Sequence, residues 1–173
     1  MRWLSQLILW LALAFVLLAL FVHSCTNSVR DGRLSRLPDE LLVTGELYRN
    51  EGDFGVTLHS GEAAGVAVYG LSDGIAADVA RRGVDFFSLP DWRETPLDLT
   101  GQRLPDWAHP PPDPTVLDWI IGPLGQTIGV DPQVARDMND AMILPGSYYR
   151  FGNGMSITLV VPATRTVYFA YGG

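Results

Sequence analysis

The sixteen residues from Leu7 to Val22 include no polar side chain, and no charge interrupts the chain between Arg2 and Arg30. Twelve of the sixteen are Leu, Ile, Val or Phe. At about −0.3 to −0.6 kcal/mol each at mid-membrane, such a run favours insertion by roughly 5 kcal/mol. A core helix of a globular domain keeps a polar face, and this run is apolar all round. It therefore reads as a transmembrane or signal helix that meets the membrane through residues 3–22.

Three fates fit the segment: retention as a single-pass anchor, cleavage as a signal peptide, or processing as a lipoprotein signal. The stretch Phe21-Val22-His23-Ser24-Cys25 resembles a bacterial lipobox, with Ser24 small and Cys25 the sole thiol, which would then carry the lipid. His23 departs from that pattern, where a small or apolar residue is usual. The length of the run, nearer a span than a signal, favours the retained anchor. Arg30, Arg33 and Arg36 follow it against Arg2 before it, so a count of positive charges slightly favours the domain inside. The layout of a signal sequence favours the domain on the extracytoplasmic side, periplasmic or external, and that is the reading adopted.

The expected organisation is an anchor or signal over residues 1–24, a polar tether over 25–38 and one domain over 39–173. Without residues 1–25 the chain holds eleven arginines against nineteen acids, a net −8. That balance is a poor start for nucleic acid, whose phosphates need clustered basic side chains. All twelve basic residues are arginine, which excludes Schiff-base and phosphate-loop lysines. One cysteine permits no internal disulfide and no multi-thiolate zinc site. The histidines are His23, His59 and His109, and no spacing among them suggests a metal; neither a metal nor a cofactor is expected.

The fold class expected is α+β. Leu41–Arg49 reads as a strand, Asn50–Asp53 as a turn and Gly55–His59 as a second strand. Ala64–Gly70, a helix capped by Ser72, and Val84–Leu89 read as a strand–helix–strand unit. Asp113-Pro114 and Asp131-Pro132 each look like a helix start, the second helix running to about Met142 and burying Val134, Met138 and Ala141. Ser147–Phe151, Met155–Val161 and Thr166–Gly172 read as a C-terminal antiparallel meander. In it Met155, Ile157, Leu159 and Val161 share one face, as do Val167, Phe169 and Tyr171.

Chemistry is sparse. Gly70-Leu71-Ser72-Asp73-Gly74 matches the G-x-S-x-G elbow of serine hydrolases between a strand and a helix. Only His109 follows Ser72, so a small envelope serine hydrolase using Ser72 and His109 is the alternative reading. Against it, Ser72 suits a helix cap and His109 is tied into a proline run. Asp91, Glu94 and Asp98 match no calcium loop and read as a solvated acidic stretch. Asp137 and Asp140, with Arg136 beside them, read as the solvent face of a helix.

Pro90–Pro114 holds seven prolines in 25 residues. Trp92, Trp107 and Trp119, with Pro110–Pro112, form an aromatic and proline-rich stretch of a kind that binds peptides or sugars. Packing against the body is the competing reading and the commoner use of large aromatics. The sequence thus points to a non-catalytic binding or accessory module of the cell envelope, with an envelope protein or peptide as its partner.

Overall fold

The computed structural model describes residues 37–53, 63–98, 129–152 and 155–172, together with 3, 6, 10–18, 20 and 21. The chain divides into two units, Met1–Asp39 and Glu40–Gly173. In the first, the described residues from 3 to 21 are helical and residues 10–18 are all exposed. Among the described residues no helix is long and apolar enough to cross a membrane.

The second unit is a mixed α/β structure built on a six-stranded sheet. Its strands are β1 (Gly45–Asp53), β2 (Ala63–Gly70), β3 (Arg93–Glu94), β4 (Tyr148–Phe151), β5 (Met155–Val161) and β6 (Thr166–Gly172). The order across the sheet is β1-β2-β6-β5-β4-β3, and every neighbouring pair is antiparallel. Two helices accompany it, α1 (Asp73–Arg82) and α2 (Pro132–Ile143).

The C-terminal meander forms as the alternation of residues requires, and β6 then docks on β2, nearly a hundred residues earlier in the chain. The last strand therefore lies inside the sheet. Facing residues along the register share a side. One side carries Val66 and Val68 of β2, Tyr168 and Ala170 of β6, Ile157, Leu159 and Val161 of β5, and Tyr149 of β4. These join Met138 and Met142 of α2 in one buried cluster. Val134, Ala135 and Ala141 of α2 pack at its margin. The other side carries Ala67, Tyr69, Val167, Phe169, Val160 and Tyr148, all buried as well. A strand buried on both faces reads as a near-continuous apolar run, as Val167-Tyr168-Phe169-Ala170 does.

Three expectations are corrected. Val84–Leu89 is not a strand, and the strand–helix–strand unit does not form. Gly83 ends α1 at φ +62°, and residues Gly83–Phe86 continue as a tight 3₁₀ turn. Arg82 Nη2 donates to Asp85 O at 2.7 Å and its guanidinium sits 5.4 Å from the Phe86 ring centre. Phe87 then stacks on Trp92, so these apolar residues pack locally.

Asn50–Asp53 is likewise not a turn. It completes β1, pairing with residues 63–66, while Asn50 Nδ2 donates to Gly129 O and Tyr171 Oη donates to Glu51. Leu41, placed by sequence at the start of a strand, is fully buried in a 3₁₀ turn over Asp39–Leu41. The expected strand Gly55–His59 and the helix from Asp113-Pro114 lie outside the described residues.

Candidate functional site

Ser72 stands between β2 and α1 with extended backbone angles, and its Oγ accepts a hydrogen bond from Ile75 N at 3.3 Å. It caps the helix, satisfying one of the N–H groups that a first turn leaves over. Asp73 beside it binds Arg165 Nη1 at 2.5 Å, and Leu71 N donates to Arg165 O at 2.8 Å. The hydrogen bond and charge of Asp73 hold the Arg165 guanidinium protonated beyond its ordinary range. The β5–β6 turn is thereby pinned to the start of α1. His109, the base of the hydrolase reading, lies outside the described residues.

Next to this junction runs an open groove of about 380 Å³. Ala76, Ala77 and Ala80 of α1 form one wall, Pro162, Ala163 and Gly146 another, and Asp73 and Arg165 stand at the rim. Its lining is small and mostly apolar, with no aromatic ring among the lining residues.

Trp92 is 7% exposed. Its ring stacks on Phe87 with 3.8 Å between centroids and an 8° interplanar angle, and Phe87 lies 6.2 Å from Tyr148. The segment after Trp92 is tied to the body. Thr95 N donates to Ser147 O at 2.9 Å, Leu97 N to Met142 O at 2.8 Å and Asp98 N to Tyr149 Oη at 3.0 Å. Asp91 and Glu94 are exposed. Trp107, Trp119, Pro110–Pro112 and Cys25 lie outside the described residues, so Trp92 is the one member of the aromatic stretch whose surroundings are described.

Arg150 escaped the reading of the sequence. It interrupts an aromatic strand, Tyr148-Tyr149-Arg150-Phe151, and faces the same side of the sheet as Tyr148 and Thr158. Its Nε is buried and meets no hydrogen-bond partner, and the same holds for Trp92 Nε1. A lone arginine inside an apolar strand was the available signal.

Among the described residues no three of His, Cys, Asp and Glu come together to hold a metal. No family model, no curated protein and no solved structure matches the chain.

Proposed function

We propose that the chain is a membrane-anchored, non-catalytic binding or accessory module of the cell envelope, its α+β domain held on the extracytoplasmic side. The observation that carries this reading is the N-terminal helix over residues 10–18. Its large side chains are exposed in every direction, among them Trp10 at 68%, Phe15 at 73% and Leu18 at 59%. A helix apolar all round is stable in a protein core or in lipid, and the run from Leu7 to Val22 around it has no polar side chain. A run of that length and composition suits lipid.

The non-catalytic part is supported by what Ser72 does: its oxygen serves α1 as a cap. The domain's negative charge favours a protein or peptide partner over nucleic acid or anionic headgroups.

The test is an affinity capture of the full tagged chain from detergent-solubilised membranes, with a variant lacking residues 3–22 as control. A specific envelope protein recovered with the full chain supports the module. An esterase or peptidase activity of the purified chain that vanishes in Ser72→Ala overturns it in favour of the hydrolase.

A further inference from the structure

Two buried donors at the end of the β3–β4 ladder, one from each chain segment, meet no acceptor. The ladder register pairs Arg93 with Tyr149 and Glu94 with Tyr148, and Thr95 N continues it to Ser147 O. One step outward, Trp92 falls opposite Arg150. Facing residues of an antiparallel pair have Cα atoms about 4.5–5.5 Å apart and project from the same side. The aromatic contacts agree with this placement. Trp92 stacks on Phe87, which approaches Tyr148, and Tyr148 and Arg150 are two apart on β4.

Trp92 and Arg150 thus start from facing positions, and the indole Nε1 of one and the Nε of the other are both buried without a hydrogen-bond partner. More than about nine-tenths of buried N–H groups in folded proteins are satisfied, and each orphan costs about 1–3 kcal/mol. Two orphans on facing residues, one of them on a cation, call for an acceptor from outside the chain. Arg150 as a whole is partly exposed, unlike its Nε.

We propose that Trp92 and Arg150 form a carboxylate-binding site. This rests on the reading of the domain as a binding module and gives the chemistry of the group it takes from its partner. A carboxylate suits it on three counts. Guanidinium nitrogens present a planar fork that matches two carboxylate oxygens. The indole N–H adds a third donor beside the fork. The domain's net charge of −8 disfavours polyanions, and one arginine balances one negative charge.

The site is tested by ¹H–¹⁵N spectroscopy of the full chain in detergent micelles, following five indole signals with Trp92 assigned through Trp92→Phe. Sodium acetate is the first probe, at constant ionic strength against chloride. The Trp92 indole proton moves downfield and saturates, with a dissociation constant in the millimolar range. Arg150→Met weakens binding about tenfold or more, as expected for a lost hydrogen bond to a charged group. Arg150→Lys, which keeps the charge and loses the fork, also weakens it.

A peptide with a free C-terminal carboxylate and its amide, the amide carrying a glutamate, then tell a chain terminus from a side chain as the source. An unmoved Trp92 signal, or the same shift with chloride, overturns the proposal. If both Arg150 variants fail to fold, Trp92→Phe decides it through the Arg150 Nε–H signal, which must still respond to acetate, more weakly than in the parent. Failure to capture any protein from membranes would leave the acetate result standing, so the two readings fail separately.

Discussion

Single side chains at the ends of elements carry measurable parts of the stability. Ser72 caps α1, so Ser72→Ala costs about 1 kcal/mol in denaturant unfolding, whereas Ser72→Asp, an equally good cap, costs little. A nucleophile would show the opposite preference for the hydroxyl, with stability indifferent and activity lost. Glu40 belongs to the same class of local anchor. Burial pushes its carboxyl up, but the N–H and hydroxyl of Ser88, at 3.0 and 2.8 Å, outweigh this and leave it below its ordinary value. A carboxylate lowered on folding stabilises above its unfolded pKa and loses that contribution as pH falls through the folded one. The parent therefore loses stability below pH about 4.5, and Glu40→Gln shows a shallower loss over the same range, read from melts at stepped pH.

Tyr168 works at the other end of the scale. Burial pushes its hydroxyl up, a hydrogen bond from Thr166 partly offsets this, and Asp137 adds to the rise. The unfolded chain then ionises first, so stability falls as pH rises above about 10. Tyr168→Phe flattens that alkaline loss; an unchanged alkaline slope would remove Tyr168 as its source.

At the scale of elements, α2 and the meander were legible in the sequence for definite reasons. Asp131-Pro132 announces a helix start, and Asp131 Oδ1 indeed accepts from Gln133 N and Val134 N. The alternation Ile157, Leu159, Val161 marks one face of β5. Val84–Leu89 misled because apolar density alone does not distinguish a strand from a packed turn. There Gly83 at positive φ and the Phe87–Trp92 stack decided the outcome, and the stack depends on a residue five positions on. Asn50–Asp53 misled because turn-forming residues were read locally, while their hydrogen bonds go to Gly129 and Tyr171.

Arg150 stood out only as a lone arginine in an apolar strand, because Trp92, which the β3–β4 register sets opposite it, is 58 positions earlier by number. The packing of α2 gives the sharpest element-scale expectation. Met138 and Met142 are fully buried against the sheet. Met138→Ala costs about 2–5 kcal/mol in equilibrium unfolding, while Arg136→Ala on the exposed side changes it by less than about 0.5 kcal/mol.

For the whole molecule, the central place of β6 ties residues 166–172 to β2, nearly a hundred residues earlier. Removing residues 166–173 strips Val167, Tyr168, Phe169 and Ala170 from both faces and leaves β2 and β5 with open edges. Fully burying a large apolar side chain is worth about 1.5–3 kcal/mol, and a typical domain is held by 5–15 kcal/mol, so this truncation abolishes cooperative unfolding. The proposed membrane association of the whole chain rests on residues that the sequence marks more plainly than any others.

Alkaline carbonate extraction of membranes from cells expressing the full chain tests it most directly, because apolar insertion is not screened by salt or charge. The full-length protein staying in the membrane pellet is the expected result. Full-length protein released into the wash would contradict the anchored module.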